Sequence, residues 1–433
     1  MKKVLLDSFF GMLFVFATLL GLREVTQLRM FDAFDPIGQS IGDVELTDIA
    51  FSQLRADPQL DTNIVIVNIG PLGRGGIGNQ IRLISQFQPK VIGLDIIFSC
   101  VDGLYDSINC PQYYDTAANN NFARAVRDFR NIVLVKRLTQ TDSLVRSAGD
   151  VAVYDSLEHT DQFLRQDAYE GYANLETDAA HQEDLKSCRR FNPVIDVNGE
   201  PNYAFSVMMA MLYDSVKTKK FLARDNFSEI INYRGNIVDW HGASNFAGRY
   251  MVLDWEQALD TASFVPEMLR GKIVILGSLG EDLRDTSWDD KFFTPLNKNY
   301  AGKSRPDMYG VVVHANIVSM ILNEDYVNEL SSWQEPVIAG IFIFLNFLLF
   351  YWINRRAPIL FDTLSILLQL IQVVLLSFLM IFFFYWFNFK LNLTITLAGI
   401  ALVGTCFEIY NSGVKSLFRQ MAGKLITKPT STV

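Results

Sequence analysis

Gly73, Gly75 and Gly78 match G-x-G-x-x-G, follow an apolar β-branched run and open a short helical pattern. Asp95 lies on the next apolar run, 22 residues after Gly73. Together they form a dinucleotide-binding fingerprint: glycines for a tight turn and close approach to a pyrophosphate, and an acid for the ribose. Pro71 and a spacer before the first glycine weigh against that use, as does the shortness of the helix. The plainer alternative is a flexible glycine loop at a strand-to-helix turn, with Asp95 at a strand's carboxyl end. That alternative is adopted, and no cofactor is expected.

Gly277, Gly280, Glu281, Asp282 and Asp285 follow a second apolar run. Acids in a loop can hold a hard cation, but this spacing matches no EF-hand. A solvated, capping loop is expected, and no metal. Of the four histidines, His159, His181, His241 and His314, none shows metal-ligand spacing. His314 lies on an apolar helical stretch and reads as a hydrogen-bonded core residue. Without a nucleophile elbow, zincin, Walker or kinase signature, no catalytic residue and no enzyme activity are expected. Several Asp-Ser/Thr-apolar tripeptides, at Asp106, Asp115, Asp142, Asp155, Asp214 and Asp260, match a pattern that some bacteria O-glycosylate after export, or arise by chance.

Cys100 and Cys110 bracket a short polar loop and are the disulfide candidate; separate buried thiols are the alternative. Cys188 is left over, and Cys406 lies in an apolar run. Asp362, Ser365, Gln369 and Gln372 recur on one face of another apolar helix, and Glu408 lies on the next at a similar depth. Such a face normally packs against other helices. An ion path is the alternative use of its acids.

The elements carrying these residues divide into apolar spans and a large polar stretch. Val4–Leu22, Val337–Ile353, Ile359–Trp386 and Leu393–Tyr410 are each long enough to cross a bilayer. No cleavage site follows Leu22, so the first is expected to be an uncleaved anchor. Lys2, Lys3, Arg355, Arg356, Lys415, Arg419, Lys424 and Lys428 fall on one side of a four-span layout, which is therefore the expected cytoplasmic side. Lys390 is a lone charge on the other side. Nine basic and three acidic residues lie outside 23–335, leaving about −15 on the large domain from a total of −9. A domain so acidic excludes nucleic acid as a partner.

Ile64–Ile69, Val91–Phe98, Ile132–Val135 and Lys272–Leu276 read as strands buried on both faces. A further short strand is expected at Ile230–Tyr233, and residues 138–200 as an insertion over the sheet edge. Helices are expected around Gln80–Phe87, Phe122–Phe129, Tyr203–Tyr213 and Gly310–Leu322. The fold class is an α/β periplasmic domain with a largely parallel or mixed sheet, plus four transmembrane helices. The expected organisation is an anchor (1–22), a periplasmic domain (23–335), a three-helix bundle (336–411) and a basic cytoplasmic tail (412–433).

Phe31–Gln39 (FDAFDPIGQ), IVIVNI, PKVIGLDIIF, RGKIVILGS with Asp285 and Thr294-Pro295, and YGVVVHANIVSMIL occur in the order seen in the type-two CHASE domain. The chain resembles that extracytoplasmic sensory module of bacteria over most of residues 30–325. The resemblance implies one amino-terminal span, about three carboxyl-terminal spans and, often, a cytoplasmic kinase or cyclase output. Two departures stand out: the first loop is glycine-rich, and no output domain follows Tyr410. The expectation is a non-catalytic sensor or docking subunit in the bacterial inner membrane. Its expected partners are the membrane and other membrane or periplasmic proteins, a large envelope complex and a homo-oligomer among the options. A structural subunit is the nearest alternative.

Overall fold

The computed structural model describes residues 2–26, 45–100, 104–141, 154–175, 187–237, 248–285, 287, 289–298 and 305–415. Phe31–Gln39, His181, His241, Asp142 and the tail carrying Arg419, Lys424 and Lys428 lie outside them. Packing divides the chain into two compact units, residues 51–327 and residues 1–50 with 328–433. Hydropathy alone divides it instead at 22/23 and 335/336.

The unit 51–327 is built on a mixed sheet. Its strands are β1 (Asp61–Asn68), β2 (Val91–Leu94), β3 (Ile132–Thr139), β4 (Ser156–Glu158), β5 (Tyr169–Tyr172), β6 (Tyr250–Leu253) and β7 (Ile273–Gly277). The order is β6-β1-β7-β2-β3, with β4 and β5 each pairing with β3. Every pairing is parallel except β3 with β4. Val and Ile fill the central strands because both faces are covered: Ile64 to Val67 and Ile273 to Leu276 are all inaccessible.

Three expectations shift. Residues 91–98 form a strand only as far as Leu94, after which the chain leaves the sheet with Asp95. Residues 138–200 contribute β4 and β5, which extend the sheet rather than only covering its edge. Glu229–Ile230 pairs with Arg190–Phe191 in a separate two-stranded ribbon, while β6 takes the sheet edge beside β1.

Helices cover both faces. α1 (Arg74–Ser85) and α2 (Thr116–Asp128) pack together, with Ile77, Ile81, Phe122 and Val126 set against Val65, Val67, Ile92 and Leu134. α3 (Phe205–Tyr213), α4 (Ser215–Leu222) and α6 (Gly310–Leu322) pack as the other layer, and α5 (Trp255–Leu259) joins α1. β1, β2 and β6 therefore lead to helices on one face, whereas β7 leads to α6 on the other. Connections diverge on either side of β7, and this opens a crevice at the strands' carboxyl ends.

The other unit contains four helices long and apolar enough to cross a membrane: Lys2–Leu22, Gln334–Arg356, Pro358–Phe387 and Thr394–Val414. The first and second pack on the fourth and on each other, and the third packs mainly on the fourth. Their interior is aromatic and aliphatic, with Phe407 in ring contact with Phe347, Phe350 and Phe361. Lys390 is not a lone charge: its Nζ lies 2.5 Å from Glu45 Oε2.

Candidate functional site

Asn68 closes β1 and organises the crevice. Its side chain is fully buried; Nδ2 donates to Asp254 Oδ1 (2.9 Å) and to the Gly280 carbonyl (3.3 Å). Its Oδ1 accepts from the amides of Gly70 (3.0 Å) and Leu279 (2.9 Å). One amide thus ties together the loops after β1, β6 and β7. Gly70 has φ +53°, and a Cβ there would stand 2.3 Å from Cδ1 of Trp255. Only glycine allows both that conformation and that approach.

The loop after β7 is a capping loop. Asp285 Oδ2 accepts from the Glu281 amide (2.9 Å) and Oδ1 from the Ser287 amide (2.8 Å), which holds Asp285 ionised below the usual carboxylate range. Among the described residues, no group of three or more His, Cys, Asp or Glu could hold a metal. A cavity of about 440 Å³ opens between this loop, Pro71 and the start of α5.

Asp95 leaves β2 on the other side of β7, half-buried, with its amide bonded to the Leu276 carbonyl (2.8 Å). Burial pushes its carboxyl up to about 7. The Asp290 carboxyl is pushed the same way, by loss of solvation and then by the charge of Asp95. Two carboxyls so placed cannot both ionise freely near neutral pH.

The three glycines do not form a phosphate cradle. Gly73 is the N-cap of α1 and faces open space, but a Cβ on Gly78 would stand 3.0 Å from Cα and N of Phe122. Gly75 faces Ala118 in the same way. These glycines let α1 and α2 approach closely. Arg74, beside them, is engaged with the Gln112 carbonyl (3.2 Å) and Asn119 Oδ1 (3.0 Å).

His314 is buried on α6. Its Nδ1 is hydrogen-bonded to Ser206 Oγ (2.8 Å), and the ring also bonds the backbone of Ala173. Burial lowers its pKa to about 4, so it stays neutral. Cys100 and Cys110 form a disulfide with a Cα–Cα distance of 5.6 Å, and Cys188 is a buried free thiol. The Asp-Ser/Thr tripeptides serve as turns and caps: Asp106 accepts from the Ile108 amide, Asp214 from Val216 and Asp260 from Ala262.

In the membrane unit the polar face turns partly inward. Ser365 donates to its own helix at Asp362 O (3.0 Å). Gln369 donates to the carbonyls of Ile400 (2.7 Å) and Ala401 (3.0 Å) on the fourth span, where Gly404 makes room for it. Gln372 Oε1 is buried with no hydrogen-bond partner among the described residues, whereas Asp362 and Glu408 are exposed and interact with each other. No ion pair joins either acid to Arg355 or Arg356 among the described residues.

Asn68, Asp254, Trp255 and Asp290 are not evident from motifs. The available signal was a polar residue near the carboxyl end of the run IVIVNI.

An α/β unit in one chain with four helices long and apolar enough to cross a membrane defines the class: a membrane protein with a large α/β domain. The family profile described as CHASE2 domain matches residues 10–351. The chain belongs to the CHASE2 domain family, a family of extracellular sensory domains. No curated protein and no solved structure matches it.

Proposed function

We propose that this protein is a non-catalytic sensor of the bacterial inner membrane, with residues 51–327 in the periplasm, acting through partner proteins in the membrane. The observation that carries the reading is the family match over residues 10–351, which takes in the crevice organised by Asn68. Sensing requires two states with different affinity for a ligand. The tight side-chain ties of Asn68 across three loops supply an element that a ligand could bias.

Sidedness is tested by membrane-impermeant maleimide labelling of single engineered cysteines in spheroplasts. Val216→Cys, at a site 77% exposed, should label at once. Ile359→Cys, in the opening 3-10 turn of the third span close to Arg355 and Arg356 and 96% exposed, should label only after permeabilisation. The reverse pattern sinks the topology. Mild-detergent purification from the native membrane, with mass spectrometry, tests action through partners. Recovery as a lone protein under several gentle conditions counts against it.

One feature favours docking as a second reading. The disulfide-closed segment exposes Tyr105 and Ile108, the latter 87% exposed, and Tyr113 and Tyr114 stand exposed in the turn that follows Cys110. Pre-organised loops rich in Tyr, Ser and Asn are efficient protein-contact surfaces. A structural subunit of an envelope complex would use this loop, and Ile108→Asp should then release a partner without altering thermal stability.

A further inference from the structure

We infer that the cavity beside Trp255, over the carboxyl ends of β6, β1 and β7, binds an organic polycation of the alkyl-polyamine class. This rests on the sensory reading and gives it a ligand chemistry. The cavity, about 440 Å³, lies in the range of small-molecule sites. Its position is where open α/β sheets bind ligands.

The lining is anionic. Glu256, Glu281 and Asp282 face one cation, Arg284. Asp254 is also in the wall, but its carboxylate is engaged by Asn68 and by the amides of Trp255 (2.9 Å) and Leu283 (3.4 Å). Among the described residues, none of Glu256, Glu281 and Asp282 joins an ion pair. Nor do these acids converge into a group able to hold a metal ion. Carboxylates spread along a wall suit a ligand whose positive charges are themselves separated. Trp255 stands in the same wall, and an aromatic ring attracts an ammonium group that meets its face.

The walls are pre-set. The Leu279 and Glu281 amides are held by Asn68 and Asp285, and the Trp255 ring lies against Gly70. Little ordering remains to be done on binding, which favours affinity for a small flexible ligand.

The test uses the full chain in nanodiscs of zwitterionic lipid, at fixed ionic strength, with spermidine as the probe. Melting temperature and Trp fluorescence are followed. Saturable binding with a raised melting temperature is expected. The double variant Glu281→Gln/Asp282→Asn should weaken it about tenfold, since each exposed charge pair contributes modestly. Trp255→Phe should weaken it less, and Glu200→Gln, elsewhere on the surface, should leave it unchanged. Circular dichroism confirms that each variant folds. Three results overturn the inference: no response to spermidine, an equal response to Mg²⁺, or a double variant that binds as wild type. Tighter binding of trilysine than of spermidine also overturns it, in favour of a basic peptide. If another small molecule stabilises the wild type while spermidine does not, the sensory reading stands and this site assignment falls.

Discussion

Gly78→Ala separates helix packing from phosphate binding. Gly78 lies inside α1, where alanine alone would favour the helix by roughly 1 kcal/mol. The new Cβ would stand 3.0 Å from Cα and N of Phe122 and 3.2 Å from the carbonyl carbon of Asn121. All three are backbone atoms of α2, so no side-chain rotation relieves the contact. The helices must part by several tenths of an ångström, loosening Ile77, Ile81, Phe122 and Val126 together. Overpacking of this kind costs about 1–3 kcal/mol, and a tightly fixed backbone lies toward the upper end. The net expectation is a loss of about 1–2 kcal/mol, or roughly 2–8 °C in melting temperature for a unit of this size. Gly75→Ala meets the Ala118 Cβ at 3.2 Å and should be near neutral, because the smaller clash is offset by helix propensity. Gly73→Ala points into open space and should cost about 0.5–1 kcal/mol, because alanine is a poorer N-cap than glycine. Thermal unfolding of the full chain in detergent, followed by Trp fluorescence, gives the series. The packing argument is refuted if Gly78→Ala melts at or above wild type. It is refuted equally if a dinucleotide stabilises wild type and Gly73→Ala abolishes that gain.

Titration offers two opposed tests. His314 has a folded pKa of about 4 against 6.5, so its contribution is lost as pH falls through 6.5 and fully lost below about 4. The loss is about 3 kcal/mol for so buried a ring, and His314→Gln should flatten the acid limb of the melting profile. Asp95 is raised from 3.8 to about 7, so its contribution is present below 3.8 and disappears as pH rises through about 7. Asp95→Asn should therefore gain on wild type between pH 5 and 8, by about 1–2 kcal/mol after discounting for partial exposure. A constant difference across that range would contradict the raised pKa. Loss of the disulfide in Cys110→Ser should open the ten-residue loop, at about 2–3 kcal/mol from chain entropy, and raise hydrogen exchange at Tyr105–Tyr114. Unchanged exchange there would show that the hydrogen bonds of Asp106 hold the loop without it.

Much of the scaffold is legible in residue type. Ile64–Val67 and Ile273–Leu276 are continuous β-branched or apolar runs because both sheet faces are buried, and no other element explains such runs at that length. Tyr250–Leu253 escapes notice for the opposite reason: an edge strand of four residues has neither length nor alternation to separate it from loop. The end of β2 at Leu94 is equally hidden, since Ile96, Ile97 and Phe98 continue the apolar pattern after the chain has left the sheet for the core beneath the helices.

The site is less legible because it is assembled by topology. Gly73, Gly75, Gly78 and Asp95 share a spacing that nucleotide sites use, yet α2 occupies the face that a pyrophosphate would need. Spacing along the chain cannot register that obstruction, because Phe122 lies 44 residues after Gly78. The crevice, conversely, brings together residues from three loops, 68–71, 254–257 and 279–285, separated by up to about two hundred positions. They meet only because β7 inserts between β1 and β2 while β6 pairs on the far side of β1. Asn68 therefore carries information that its position conceals. A buried amide satisfied by partners on three loops would leave several polar groups unpaired if truncated. Asn68→Ala should accordingly loosen all three loops together, and hydrogen exchange at Gly70, Leu279 and Leu283 should rise in concert. If only Gly70 responds, the loops are independent, and a ligand bound on one of them has no rigid element through which to act.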